Sequence, residues 1–592
     1  MIPRSLRRAG LVAALSGGAT LAAEVLGARL LRMLLGSAGI ALSGTVAGSL
    51  GGLGLGAWLA SRALREGRVS PGALARRVSL ALWAFATLAP TLSALCAAPL
   101  ARALVALSSL SPLVGDVARL LVALALTALP GALAGAVYPC AVALSEGEEA
   151  EATAFTGALS SLGAAAFALA AVFVVAPEVG VASTLRGAAL AWLVAAWALR
   201  RERAQPLAAQ GDPTHEDPPA ARALVAALAL TGFASTALNL SLTRLAELSF
   251  GPSAYALAAA TAAHVTALAA GELLAFAWTR RAPVADVADA RRRWSSSLFG
   301  AAAAAALTLP AAMSLPRWTG SLLTGGVRHV GPLWAGAVAG VTLLALPTVA
   351  CVGASMAFAA RSLSARGGGD GNGRMLAAMS AGNVLGALLA PTALMPALRV
   401  EGALAVCAAS LALGWALVSS RSLSRRAMGA VAVCAGALLG VYRARLDPGS
   451  VLDGPFLYAG STRLELGAVV WRRDGREGTV AVRRAPTGAV MLQINGKVDA
   501  TSDGDAATQT VVGLLPTALA RDPRDVLVIG LGSGMTADAV RGVAGVRRVR
   551  CSSSCPRWST PRGGTFARRT TPCSTTPGCG SRRATPPTRC AA

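Results

Sequence analysis

Two things are scarce in this 592-residue sequence: 14% of its residues are charged and 4% are aromatic, while 54% are hydrophobic. Soluble domains carry about 25% charged residues, so an ordinary soluble chain is excluded. Disorder is excluded for the bulk as well, because it needs low hydrophobicity. With few aromatics, the apolar content is carried by Ala, Leu and Gly, the small-residue composition that lets membrane helices pack closely. A collagen-like chain or a secreted disulfide scaffold does not fit either. Cys96, Cys140, Cys351, Cys407 and Cys434 stand alone in apolar runs, without metal-ligand spacing, and read as packing residues. No metal is expected.

What the sequence does have is long apolar stretches. Crossing ~30 Å of hydrocarbon takes about 20 such residues in a helix. Stretches of that kind occur at 9–34, 38–61, 78–100, 118–144, 153–176 and 180–199, and after a polar interval at 220–242, 254–278, 296–315, 332–360, 375–398 and 402–419. A shorter run at 427–442 is a candidate thirteenth. The expected fold class is a polytopic α-helical membrane bundle of about twelve spans, followed by a truncated α/β Rossmann-like domain with a small β-region at its start.

The formal charge of +25 would suggest nucleic acid, but the arginines form short clusters between apolar runs. That is the positive-inside pattern, and no nucleic-acid partner is expected. Arg4, Arg7 and Arg8 precede the first span, and Arg62, Arg65, Arg68, Arg76 and Arg77 follow the second. Counting one crossing per stretch puts the basic loops at 200–203, 280–293, 361–374 and 421–426 on that same cytoplasmic side. The N-terminal run continues through Arg29 into a second span without a convincing small-residue cleavage site, so it reads as retained rather than as a signal peptide. The expected location is a bacterial-type inner (plasma) membrane.

Residues 17–56 and 232–271 match at one constant offset, pairing Gly17 with Gly232, Arg29 with Arg244, Leu30 with Leu245, Gly36 with Gly251 and Gly56 with Gly271. Each paired arginine stands seven residues before a Gly that opens the next span. This is an internal duplication, and it predicts two six-helix repeats, 1–205 and 206–442, as in parallel-repeat transporters. Within the spans an ionisable group costs about 2.5–3.5 kcal/mol at the bilayer centre, which makes Glu24, Arg29, Arg244 and Glu272 the polar candidates. Arg29 and Arg244 also fit a role at the outer interface, snorkelling or capping a helix. His264 reads as a packing residue.

From about residue 443 the composition turns to charged, Gly and β-branched residues. Thr479–Val482 and Ala489–Ile494 flank Pro486-Thr487-Gly488 and predict a hairpin. Residues 506–520 predict a helix with Asp505 or a neighbour as N-cap. The apolar strand from Asp525 runs into Gly530-Leu531-Gly532-Ser533-Gly534 and a second helix. Glycines there let the backbone approach a ligand, and the context of strand, turn and helix favours a nucleotide or S-adenosyl ligand over an ordinary turn.

The run Leu492 to Thr501, then Asp505, Thr508, Gln509, Leu515-Pro516 and the Gly-rich turn, resembles the spermidine synthase family of polyamine aminopropyltransferases, in particular its form fused to a major-facilitator-like membrane domain. The resemblance covers about residues 455–550 and implies a small β-domain at 443–500 and the start of a Rossmann-like domain at 501–550. It implies decarboxylated S-adenosylmethionine as co-substrate and a polyamine or other small amine as acceptor. On this resemblance Gly530, Gly532, Ser533, Gly534 and Gln509 would hold the cofactor, and Asp505 and Asp499 the amine. Asp499 stands where the family has Gln, Thr508 where it has Tyr, Leu514 where it has His, and Ser533 where it has an acidic residue. Cofactor binding survives these departures better than the polyamine pocket does.

Val546 to Arg550 begins what should be the second strand of the cofactor domain, and Arg550 is the last residue expected to belong to it. Residues 551–592 contain no Leu, Ile, Val, Asp, Glu or Lys, but seven Arg and five Cys. No sheet can be built from that composition, which fits a disordered basic tail. Taking the third base of each codon with the next two permits Glu-Leu-Ser-Pro-Val-Val-Asp-Ala-Ala-Arg across Ser553 to Gly563, similar to the family's ribose-binding strand end and the helix after it. The stretch therefore reads as a frameshifted tail. The ribose carboxylate and the catalytic Asp segment are expected to be missing after Arg550, so no catalytic residue is assigned. The sequence thus predicts a membrane-bound aminopropyltransferase-like protein, inactive as written, with its C-terminal domain in the cytoplasm. The alternative is a major-facilitator-type transporter with a nucleoside-sensing soluble domain.

Overall fold

The computed structural model describes residues 2–552, apart from 37–38, 146–148, 201–217, 326–328, 365–370, 447–450, 459–466 and 477. The tail at 553–592 and most of the polar interval between the repeats lie outside the described residues. The chain forms two compact units, one of residues 1–460 with 474–478, the other of 461–473 with 479 onward.

The first unit is helical. Its first half comprises α1 (Arg4–Leu35), α2 (Gly39–Arg65), α3 (Pro71–Leu110), α4 (Pro112–Ala143), α5 (Glu149–Leu169), α6 (Ala176–Val179) and α7 (Val181–Ala198). The remainder comprises α8 (Pro218–Phe250), α9 (Ala254–Arg281), α10 (Val287–Met313), α11 (Leu315–Thr324), α12 (Val330–Ser364), α13 (Gly371–Leu389), α14 (Met395–Val418), α15 (Leu423–Leu446) and α16 (Pro455–Tyr458). Among the described residues, twelve helical segments are long and apolar enough to cross a membrane. Leu95, Leu110 and Leu307 are more than 70% exposed. Side chains that apolar and that open are covered by lipid tails rather than water, so the bundle meets the bilayer.

The helices pack in matched sets. In the first half α1 lies on α5 and α7, α2 on α4, and α3 on α7; in the second α8 lies on α13 and α14, α9 on α12, and α10 on α14. The halves meet where α5 packs on α9 and α2 on α13, two contacts that exchange when the repeats exchange. Small residues bring this about. A Cβ on Gly56 would run into the carbonyl oxygen of Ala132 in α4, and one on Gly271 into that of Ala350 in α12, so only glycine lets either backbone approach so closely. Gly36 and Gly251, paired in sequence, both take left-handed φ, 87° and 90°.

The longest apolar segment, Gly371–Val418, has 48 residues, about 72 Å of helix at 1.5 Å per residue, far more than a bilayer is thick. It doubles back at Arg399, whose φ of 63° and ψ of 178° are not helical. Its arms, α13 and α14, are the counterparts of α5 and α7, so α15 occupies the shorter apolar run and has no counterpart in the first half. Arg291 Nε donates to the Val418 carbonyl at 3.1 Å, which brings α14 back to the end of the bundle that holds the N-terminus. From there α15 runs to the far end, where Arg445 lies 3.9 Å from Glu401. Phe456 lies beside Gly251 at that same far end. The chain leaving α15 is thus opposite the N-terminus. The expectation of a cytoplasmic exit rested on twelve crossings, which would return the chain to the N-terminal side, and on the enzyme reading.

The second unit contains a four-stranded sheet in the order β1-β2-β3-β4, with β1 Ala468–Asp474, β2 Thr479–Arg484, β3 Val490–Ile494 and β4 Lys497–Thr501. The predicted hairpin is β2–β3, antiparallel with Val482 opposite Leu492. Helix Ala506–Leu519 follows, then β5 (Asp525–Ile529), helix Met535–Arg541 and β6 (Arg548–Ser552). β5 and β6 pair in parallel, Leu527 opposite Arg550 and Val528 opposite Cys551. Arg550 is therefore the middle residue of β6 and not the last of the domain, which corrects the boundary expected there. Composition alone assigns Cys551 and Ser552 to the tail, but a parallel ladder is held by backbone groups that any non-proline residue supplies, so the strand continues through both.

Candidate functional site

Helices apolar on all sides leave few places for polar groups, and some of those present have found partners while others have not. Ser49 donates to Glu24 Oε2 at 3.1 Å, joining α1 to α2. At the duplicated positions the second half has Asn239 and His264, and His264 Nε2 lies 3.0 Å from the Ser235 hydroxyl. Asn239 Oδ1 and His264 Nδ1 are buried without a hydrogen-bond partner among the described residues. The duplicated pair has changed chemistry while keeping its place.

Glu272 is 4% exposed. It stands on α9, roughly 14 Å from the helix end at Arg281, and its Oε2 accepts from Ser161 of α5 at 3.0 Å. That bond crosses from one half to the other. Between Glu272 and the N-terminal end lie three more crossings. Thr153 donates to Asn372 Oδ1 at 3.1 Å, Asn372 Nδ2 donates to Glu149 at 3.3 Å, and Arg280 lies 3.6 Å from Glu151. Tyr138 caps the cluster by donating to the Thr153 carbonyl at 3.0 Å. Sequence reading finds Glu272 but none of Ser161, Thr153 or Asn372, since an isolated Ser, Thr or Asn in an apolar run carries no signal of its partner.

At the far end the halves enclose a cavity of roughly 70 Å³, lined by Arg32, Gly39, Leu42 and Ser43 from the first half and Leu240, Thr243, Arg244, Glu247, Pro391 and Met395 from the second, with Arg476. Arg244 is 7% exposed. Its Nη2 donates to the Arg476 carbonyl at 3.1 Å and its Nε lies 3.7 Å from Glu247. Its sequence partner Arg29 is exposed, so the two paired arginines do not share one environment.

At the N-terminal end a second cavity, about 100 Å³, is lined by Trp58, Ser61, Arg62, Arg65 and Arg374. In the loop after α2, Glu66 takes hydrogen bonds or charge from Arg62 at 2.9 Å and Arg68 at 2.7 Å. The Arg62 hydrogen bond first, then the charges of Arg68, Arg62 and Arg65, hold its carboxyl below the ordinary glutamate range.

In the second unit Gly530, Gly532 and Gly534 all have left-handed φ, 86°, 53° and 83°, which favours glycine at each. A Cβ on Gly530 or Gly532 would meet nothing within 4 Å, so that side of the turn is open to a ligand. Gln509 is tied to the turn: its Oε1 accepts from Ser533 at 2.7 Å, its carbonyl accepts from Thr536 at 3.0 Å, and its Nε2 donates to the Asp499 carbonyl at 3.3 Å. Asp505 sits at the N-cap position without a side-chain capping bond, and its own amide donates to Thr501 Oγ1 at 2.8 Å. Asp499 pairs with Lys497 at 3.1 Å. The turn leaves open space, while the Gln509 side chain is already bonded to Ser533 and the Asp499 carbonyl. The strand end that would carry a ribose carboxylate, the two residues after Arg550, has Cys551 and Ser552 instead, so among the described residues the fit is partial.

No family model matches the chain, and no curated protein does. Among solved structures it is similar to the nucleoside transporter NupG, with 10% identity and a TM-score of 0.44 over 73% of this chain and 100% of that one. It is also similar to the human organic anion transporter MFSD10, with 16% identity and a TM-score of 0.37 over 75% of this chain and 100% of that one. At these scores neither likeness adds to what the helix pattern itself establishes.

Proposed function

We propose that the bundle is a membrane transporter of the major-facilitator type, its two duplicated halves rocking against each other. The observation that carries this reading is the buried Glu272–Ser161 hydrogen bond between the halves. A carboxyl at such depth costs about 2.5–3.5 kcal/mol, a cost that a passive scaffold has no use for. With Thr153, Asn372, Glu149, Glu151 and Arg280 it forms a polar seal on the N-terminal side, while the cavity at Arg244 lies on the other. Taking the basic N-terminal end as cytoplasmic, the seal is an inner gate and the chain leaving α15 emerges outside. Reconstituted vesicles offered amines, nucleosides and organic anions in turn test the reading. Flux of at least one class should fall about tenfold or more in Glu272→Gln. Absence of flux for every class, or flux indifferent to Glu272, contradicts it.

A second reading, an aminopropyltransferase-like nucleoside pocket at 501–552, is favoured by the open glycine turn and its Gln509–Ser533 tie. Decarboxylated S-adenosylmethionine would supply the aminopropyl group, and the protein would orient the nucleoside through Gln509 and the turn. Calorimetry with methylthioadenosine tests this reading: binding lost in Gly532→Val supports it, and no heat in the unaltered protein counts against it.

A further inference from the structure

We infer that the far-end cavity between the halves is a binding site for an oxyanion group, a carboxylate or phosphate. Three guanidinium groups, Arg32, Arg244 and Arg476, line it against a single carboxylate, Glu247. Asp116, 3.7 Å from Arg476, is shared with Arg119 at 3.5 Å, and Glu247 offsets one of the three, so at least one positive charge is left over. The donors are unsatisfied as well. Arg244 Nη1 and Arg32 Nε are both buried and have no hydrogen-bond partner among the described residues, and a buried guanidinium N–H left unpaired is costly.

The neighbouring hydroxyls do not answer them. Ser43 donates back to the Gly39 carbonyl at 2.8 Å and Thr243 to the Asn239 carbonyl at 2.9 Å. Leu42, Leu240, Pro391 and Met395 complete an apolar wall, so a charged oxygen placed there meets the arginines with little competing water. The roughly 70 Å³ of space suits an oxyanion headgroup. Because Arg32 comes from one half and Arg244 from the other, a bound oxyanion ties the halves together at this end. The site stands whether or not its occupant is carried across the membrane, so its test is independent of flux.

The whole chain in phosphatidylcholine nanodiscs, dialysed against radiolabelled inorganic phosphate at constant ionic strength, gives the measurement. Saturable binding near one phosphate per chain is expected. It should weaken by about tenfold or more in Arg32→Gln and Arg244→Gln, tighten in Glu247→Gln, and stay unchanged in Arg29→Gln, whose side chain is exposed. If Arg244→Gln does not fold, the opposite shifts of Arg32→Gln and Glu247→Gln carry the test. Repeating the titration in phosphatidylglycerol nanodiscs separates the sources: loss of phosphate binding there identifies a lipid headgroup as occupant, and retention identifies a free anion. No saturable binding, or binding indifferent to both Arg32 and Glu247, overturns the proposal.

Discussion

Single residues show where sequence reasoning stops. Arg29 and Arg244 occupy the same place in the duplicated frame, yet one is exposed and the other is 7% exposed in a cavity. The difference comes from what packs around them, which no pattern within one helix reveals. Glu272 was legible because a carboxyl in an apolar run stands out. Its partner Ser161 was not, because serine is common in such runs. Removing that hydroxyl in Ser161→Ala leaves the Glu272 carboxyl without a hydrogen-bond donor among the described residues. The expected cost is about 1–3 kcal/mol, read as a lower melting temperature in detergent, whereas Ser296→Ala on an exposed bond should leave it unchanged. Equal melting temperatures for the two variants would contradict a buried Glu272–Ser161 bond.

Elements carry the duplication further than the sequence does. Alignment pairs only residues 17–56 with 232–271, but the structure also matches α5 with α13. Each of the two continues into a π-helical turn, at Ala170–Val175 and Ala390–Leu394. A break follows each turn, at Gly180 with φ 81° and ψ 162° and at Arg399 with φ 63° and ψ 178°. Backbone of this kind is essentially a glycine conformation, and the second half holds an arginine in it. Arg399→Gly should therefore raise the melting temperature, by relief of about 1–3 kcal/mol of strain; a fall would mean that the Arg399 side chain matters more than its backbone. The close contacts at Gly56 and Gly271 make the reverse prediction. Leu at either position should destabilise by about 1–3 kcal/mol or more, whereas Gly187→Leu, with nothing within 4 Å, should not.

For the whole molecule, the sequence made the membrane bundle and its two halves legible through apolar run length and arginine clustering. It left the parity open, because the run at 427–442 is shorter than a bilayer-crossing stretch, whereas the helix that contains it, Leu423–Leu446, extends into flanking arginines. A phosphatase reporter fused after Tyr458 should be active outside the membrane. A cytoplasmic reading would mean that one apolar segment does not cross, and would restore the aminopropyltransferase reading's access to a cofactor made inside the cell.

The central claim is that two duplicated halves move against each other, and paired spin labels on a background without native cysteines test it most directly. One pair at positions 68 and 281 would report the N-terminal end, and another at 29 and 252 the far end. The account predicts two distance populations at each end that shift in opposite senses, the N-terminal end opening as the far end closes, with Glu272→Gln changing the balance. A single fixed distance at both ends, unmoved by that substitution or by phosphate, would contradict it.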